Sequence, residues 1–124
     1  MRIWIMIGGI MGCIGVILGA FGAHSLKNIL TAAQLASFKT AVQYQFLHSV
    51  ALVLIGIMLG QAEEATQIKI NRAGKFFVAG IILFSGSIYA LTLGGPKILG
   101  PLTPLGGLCF IIGWLTLAFS TPKK

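Results

Sequence analysis

The stretch that decides the fold of this protein is IWIMIGGIMGCIGVILGAFGA, residues Ile3 to Ala23. Its 21 residues include no charged side chain. An α-helix needs about 20 apolar residues to cross the hydrocarbon core of a bilayer. The apolar region of a secretory signal peptide is shorter, about 7–15 residues. The run therefore predicts an uncleaved first membrane helix over residues 3–23.

The 124-residue chain as a whole has the composition of a membrane protein. Only 9% of its residues are charged, and its mean hydropathy is +0.96. A soluble domain carries roughly 25% charged residues, so this chain has too little polar surface to coat a soluble globule. The net charge is +7, but its cations lie singly or in short groups between apolar blocks. That pattern favours a lipid bilayer over nucleic acid as the partner.

The second apolar block predicts a helix that is longer than the membrane is thick. Thr31 is the expected N-cap and Gly60 the expected end, which gives about 45 Å at 1.5 Å per residue. The hydrocarbon core is only about 30 Å thick. Inserting a charged side chain at the bilayer centre costs on the order of 2.5–3.5 kcal/mol of free energy. We therefore expect Lys39 at the interface and the second span over residues 40–60.

Two more apolar blocks complete a predicted all-α, polytopic integral membrane four-helix bundle, a single domain over residues 1–124. The third and fourth spans are expected at residues 76–93 and 104–120. Residues 61–75 are expected to form a water-facing connection, and residues 94–103 a Gly- and Pro-rich loop. Thr103-Pro104 is the expected N-cap and first helical position of the fourth helix, and Pro122 follows its end.

The cations also predict an orientation, because positive residues are enriched on the cytoplasmic side. With four spans, six cations lie on the side of the termini and three on the other side, so both termini are predicted to be cytoplasmic. The first group is Arg2, Lys69, Arg72, Lys75, Lys123 and Lys124, and the second is Lys27, Lys39 and Lys97.

The first helix carries glycines at a spacing of four and three residues, which keeps them on one face. Helices in lipid associate through close backbone approach, which small residues allow. The stripe is thus either a packing seam within the bundle, which we favour, or a groove for a partner helix from another chain. Its members are Gly8, Gly12, Gly15, Gly19 and Gly22.

The second span contains a dense polar cluster with His48 near the bilayer midplane. Tyr44, Gln45 and His48 share a helix face by their i, i+3 and i, i+4 spacing. Ser85, near the middle of the third span, could add a hydroxyl. In one interpretation His48 accepts a proton or contacts a ligand, with Tyr44 and Gln45 orienting its ring. In the other, which we favour, it is a hydrogen-bonded core residue that fixes helix register.

Other chemically distinctive side chains have modest expected roles. His24 should cap the last carbonyls of the first helix at the outer interface, near Lys39 and Gln43. Trp4 fits the interfacial aromatic belt, whereas Trp114 should pack in the bundle with its indole N–H seeking a partner. The two cysteines, Cys13 and Cys109, are expected to be small buried hydrophobes. No metal or cofactor site is predicted.

Four stretches together resemble the domain-of-unknown-function 423 family of small bacterial membrane proteins, the YgdD/YwdK-like proteins. They are GAFGAHSLK at residues 19–27, FKTAVQYQFLHSVALVLIG at 38–56, SGSIYAL at 85–91 and LGPLTPLGGLCFIIGW at 99–114. The resemblance implies four membrane helices in a bacterial plasma membrane. It implies no biochemical mechanism.

Three functions are considered for such a chain. The favoured one is a structural or accessory role through helix packing in the membrane, with another copy or another membrane protein as the possible protein partner. The alternative is an oligomeric transport or permeation unit that uses the His48 cluster. An enzyme is not expected, because no Asp or Glu lies in any span, no nucleophile lies beside a base, and no metal-ligand set exists.

Overall fold

A computed structural model of the protein describes residues 2–121, and every regular element in that range is helical. Four helical segments are long and apolar enough to cross a membrane. The predicted all-α architecture with four such helices is therefore confirmed. The elements are α1 (Arg2–His24), α2 (Ala32–Leu59), α3 (Glu64–Gly80), a π-helical turn (Ile81–Ser85), α4 (Gly86–Thr92), a 3₁₀ turn (Lys97–Leu99) and α5 (Leu102–Ala118).

Helix α2 lies at the centre of the bundle. Helix α1 packs along one side of it, the continuous segment α3–π turn–α4 packs along the other, and α5 packs mainly on α3 and the π turn. Leu52 and Ile55 of α2 are fully buried and belong to one apolar core with Ile70 and Phe77 of α3. The flanking helices α1 and α5 keep one broad apolar face outward, as a bundle surrounded by lipid requires.

Helix α2 begins and ends where the sequence predicts. The Thr31 hydroxyl accepts from the Gln34 backbone N–H at 3.1 Å, and the Gln34 side chain accepts from the Thr31 backbone N–H at 3.0 Å. This reciprocal capping box satisfies two donors at the helix start. Gly60 is the C-cap. With 28 residues, the helix is about 42 Å long at 1.5 Å per residue.

The connection predicted over residues 61–75 is mostly helical, and its exposure to water stays a prediction. Helix α3 begins at Glu64, and the turn before it is closed by the Gln67 side chain, which donates to the Leu59 and Ala62 carbonyls at 3.2 and 2.9 Å. One face of this segment is apolar and buried, including Ile70 and Ala73. The charged residues of this segment form its exposed face: Glu64, Lys69, Arg72 and Lys75.

The extra turns of α3 also correct the role predicted for Trp4. Its side chain is only 8% exposed, and its indole N–H donates to Asn71 Oδ1 at 2.8 Å. The ring lies against Gly74, where a Cβ would be 2.9 Å from indole Cη2. Trp4 therefore joins α1 to the amphipathic part of α3 instead of standing in an interfacial belt.

The start of α5 differs from the predicted one. The helix begins at Leu102 with Pro101 at the N-cap position, so Thr103 does not cap it. The Thr103 hydroxyl instead shares a hydrogen bond with the Ser87 hydroxyl of α4. Pro104 fits the first turn because its missing N–H would have no intrahelical partner there.

The ends of the third and fourth helices lie close to the predicted ends. The third helical segment ends at Thr92 and the fourth at Ala118, while the Ser120 hydroxyl donates to the Leu117 carbonyl at 2.7 Å. Pro122 and the cations Lys123 and Lys124 lie outside the described residues. Where the bilayer surfaces cross the four helices stays a prediction.

Candidate functional site

His48 lies in the middle of α2 and is 2% exposed. The Trp114 indole N–H of α5 points at its Nε2 at 3.0 Å, and its Nδ1 lies 2.7 Å from the Tyr44 carbonyl oxygen. An indole nitrogen can only donate and a carbonyl oxygen can only accept. Nε2 must therefore be the acceptor and Nδ1 must carry the proton. Both ring nitrogens of a neutral His48 are thus used within the chain.

Aromatic side chains enclose the His48 ring. It stacks on Phe110 with ring centroids 3.7 Å apart and planes 13° apart, and Phe77 meets it edge-on at 5.3 Å. The Tyr44 ring lies 6.2 Å away and is itself 41% exposed on the outer surface. Tyr44 therefore orients His48 through its backbone carbonyl, and its side chain only flanks the ring.

Gln45 does not orient His48 as the sequence analysis proposed, because its side chain points toward other helices. Its amide nitrogen donates to the Met11 carbonyl of α1 at 2.9 Å. Its amide oxygen accepts from the Tyr89 hydroxyl of α4 at 2.6 Å. Gly15, one turn after Met11, faces this amide, and a Cβ there would lie 3.8 Å from Gln45 Nε2. Gln45 thus joins α1, α2 and α4.

The nearby hydroxyl groups bond to helix backbone. Ser85, in the π turn, donates to the Ala41 carbonyl of α2 at 2.7 Å, and Ser49 donates to the Gln45 carbonyl at 2.6 Å. Ser85 therefore belongs to the α2–π turn contact and not to the immediate surroundings of His48. Within residues 2–121, every buried side-chain nitrogen and oxygen has a hydrogen-bond partner.

The predicted glycine stripe faces α2 along its whole length. A Cβ on Gly8 would lie 2.7 Å from the Ser49 carbonyl oxygen, and a Cβ on Gly22 would lie 2.8 Å from the Phe38 ring. Gly12, Gly15 and Gly19 face Ser49, Gln45 and Val42 at 3.3–3.9 Å. The stripe therefore lies at the contact between α1 and α2 of this chain.

The remaining singled-out residues lie on the outer surface. Lys39 is exposed and lines a groove between α1 and α2. His24 is exposed, and the Phe21 carbonyl near the end of α1 accepts from the backbone N–H groups of Ser25 and Leu26. Cys13 is also exposed, so its predicted burial is wrong.

Cys109 on α5 is half-buried, and both cysteines are free thiols. In the part of the chain that the structure describes, no three His, Cys, Asp or Glu side chains are grouped so as to hold a metal ion.

Sequence reasoning missed three partners of the polar cluster: Trp114, Phe110 and Tyr89. A signal existed only for Trp114, whose N–H needed an acceptor inside the bundle. Choosing His48 as that acceptor requires knowing that α5 comes close to α2 at this height. Tyr89 and Phe110 look like ordinary span residues in the sequence.

Comparisons with known proteins agree with this architecture. A family model described as a protein of unknown function, DUF423, matches residues 18–107. A UPF0382 membrane protein of Staphylococcus aureus (strain bovine RF122 / ET3-1) is 42% identical over 123 residues, which cover 99% of this chain and 98% of the relative. The UPF0382 membrane protein YwdK of Bacillus subtilis is 38% identical, with 99% and 98% covered. No solved structure matches. The resemblance in the sequence is thereby confirmed, and the chain, with its four apolar helices, belongs to the DUF423 family, an uncharacterised family of bacterial membrane proteins.

Proposed function

We propose that the protein is a non-enzymatic accessory protein of the bacterial plasma membrane that acts through contacts of its helices with lipid and with other membrane chains. In this proposal the polar cluster holds the bundle together and takes no substrate. Both termini face the cytoplasm, as the cation distribution suggests.

The observation that supports the proposal best is the closed hydrogen bonding of His48. The Trp114 indole N–H donates to Nε2, and the Nδ1–H donates to the Tyr44 carbonyl. A proton could enter at Nε2 only if the Trp114 bond broke. A ligand would likewise have to displace one of these two partners. The nitrogen and the oxygen of the Gln45 side-chain amide are likewise both hydrogen-bonded within the chain.

Two substitutions at His48 test this proposal against a chemical role. A Gln side chain can still accept from Trp114 and donate to the Tyr44 carbonyl, whereas Ala can do neither and leaves a cavity beside Phe110. We expect His48→Ala to lower the unfolding free energy by about 2–4 kcal/mol and His48→Gln to restore most of that loss. Stability is measured by denaturation in mild detergent.

The same variants are then compared in cells that lack the wild-type protein, at matched membrane abundance. Under the accessory role, His48→Gln complements whatever defect the deletion causes, and His48→Ala fails only as far as its abundance falls. If both variants are stable and abundant yet equally inactive, His48 has a chemical role and the proposal is wrong.

The alternative, an oligomeric permeation unit, makes a different prediction. A surface groove of about 500 Å³ lies beside His48 between α2 and α5, and Tyr44 and Trp114 line it. If several copies joined there, His48 would face a shared path. Proteoliposomes loaded with a pH-sensitive dye measure this directly. Under the accessory role their proton flux equals that of empty liposomes, and a flux that His48→Gln abolishes would favour the alternative.

A further inference from the structure

A second feature of the molecule, separate from the polar cluster, is a groove on the outer surface between α1 and α2. Its volume is about 720 Å³, within the roughly 300–1,000 Å³ of typical small-molecule sites. Val16 and Ala20 form part of its α1 wall, and Phe46 and Val50 part of its α2 wall. Its lining is almost entirely apolar, as a hydrocarbon occupant requires.

The groove has the length of one leaflet. On α2 the part of the groove from Lys39 to Val50 spans eleven residue steps and so about 16 Å at 1.5 Å per residue. Half of a hydrocarbon core of about 30 Å is about 15 Å. Because Lys39 must stay at the interface to keep its charge in water, the other end of the groove lies near the midplane. A partner helix that crosses the bilayer would need a contact surface in both leaflets, whereas a lipid chain needs only one.

The groove is also amphiphilic along its length. Lys39 is the one charged side chain among those that line it, and it lies at the interfacial end. The Gln43 amide follows one helical turn deeper, on the same side of α2, and also lines the groove. An ammonium beside an amide donor suits a phosphate oxygen, and the apolar remainder suits an acyl chain.

We propose that this groove binds an anionic glycerophospholipid from the leaflet on the Lys39 side. One acyl chain lies between α1 and α2, and the lipid phosphate contacts the Lys39 ammonium and the Gln43 amide. The proposal does not depend on the accessory role. A bound lipid at this place would extend the surface that α1 presents to the membrane.

Native mass spectrometry of the full chain, released from detergent with defined lipids, tests the proposal. The probes are phosphatidylglycerol and phosphatidylcholine with the same acyl chains. We expect wild type to retain phosphatidylglycerol in preference to phosphatidylcholine. Lys39→Gln should weaken phosphatidylglycerol binding about five-fold and remove the preference. The control is Lys97→Gln, which removes an exposed cation outside the groove and should keep the preference.

A second variant tests the acyl-chain part of the site. Ala20 is exposed and lines the groove, so Ala20→Phe should fill it and weaken retention of both lipids by at least the same factor. Ala118→Phe makes the same change on an exposed position of α5 and should leave retention unchanged. Equal behaviour of Lys39→Gln and Lys97→Gln, or of the two Phe variants, would overturn the proposal. So would a dimer that Ala20→Phe dissociates while lipid retention stays constant, because the occupant would then be a second copy.

Discussion

At the scale of single residues, the bundle core is organised by polar side chains whose buried nitrogen and oxygen atoms, within residues 2–121, each have a hydrogen-bond partner. Gln45 illustrates this, since it links the Met11 carbonyl on one side to the Tyr89 hydroxyl on the other. In lipid, no water can replace a lost partner at such a site, so satisfying each group within the chain stabilises the bundle. Measured interhelical hydrogen bonds in membranes contribute about 0.6 kcal/mol on average and up to about 1.7.

The two tyrosines give a matched test of that contribution. Tyr89→Phe removes the donor to Gln45 and leaves the ring that packs on Phe38. We expect it to lower the unfolding free energy by about 1 kcal/mol. Tyr44 is 41% exposed, and Tyr44→Phe should change stability by less than about 0.5 kcal/mol. Reversible denaturation in mixed micelles measures both, and equal effects would show that the Tyr89–Gln45 bond is not a stabilising contact.

The candidate site shows how far residue-scale prediction reaches. The i, i+3 and i, i+4 spacing of Tyr44, Gln45 and His48 identified a polar region of α2, and the region is indeed buried around Gln45 and His48. The spacing could not assign partners, because Gln45 and His48 point to different neighbouring helices. Partners depend on which helices stand beside α2, and intrahelical spacing contains no information on that.

At the scale of whole elements, α1 shows how glycine position and not glycine content sets packing. Gly8 and Gly9 are neighbours in sequence, but only Gly8 faces α2. A Cβ on Gly8 would approach the Ser49 carbonyl oxygen at 2.7 Å, whereas a Cβ on Gly9 would meet nothing within 4 Å. Backbone atoms at a helix–helix contact cannot yield as a flexible side chain can, so the two positions should respond oppositely to the same substitution.

The corresponding experiment compares Gly8→Ala with Gly9→Ala. We expect Gly8→Ala to lower the unfolding free energy by about 1–3 kcal/mol, because α1 must move away from α2. Gly9→Ala should be neutral or stabilising by up to about 1 kcal/mol, since Ala is the better helix former. Thermal unfolding in detergent distinguishes them. A loss in Gly9→Ala as large as that in Gly8→Ala would mean that α1 packs on α2 through a different face.

Helix α3 is the element that sequence reasoning described worst. Its first turns are polar, with charged residues at positions 64, 69, 72 and 75. The same spacing leaves an apolar stripe that contains Ile70, Ala73 and Phe77, all buried. A hydropathy window averages the two faces and hides the stripe, whereas a helical period of 3.6 residues separates them.

At the scale of the whole molecule, the charge asymmetry predicts an orientation in the membrane. The side predicted to be cytoplasmic carries Arg2 and the exposed cations of α3, and the opposite side carries Lys27, Lys39 and Lys97. Because positive residues are retained on the cytoplasmic side during insertion, the proposed orientation has both termini in the cytoplasm. The lipid groove would then open to the outer leaflet.

Single cysteines in a background without Cys13 and Cys109 test this orientation. A membrane-impermeant maleimide applied to intact cells should label Lys97→Cys, in the exposed loop before α5, and should not label Glu63→Cys, in the turn before α3. Permeabilised cells should give equal labelling and serve as the control. The reverse pattern in intact cells would place the termini outside and the lipid groove in the cytoplasmic leaflet.

The sequence by itself determined that this protein is a helical membrane bundle, and it determined the length and cap of α2. Both follow from local quantities: the transfer of apolar residues into lipid and the hydrogen bonding of one helix start. Only the tertiary structure decided that Trp4 pairs with Asn71, that Trp114 fixes the tautomer of His48, and that Lys39 lines a groove beside α1. These facts depend on which helix faces stand opposite each other. In lipid that choice rests on the sum of many close backbone and polar contacts, which are spread over helices far apart in sequence.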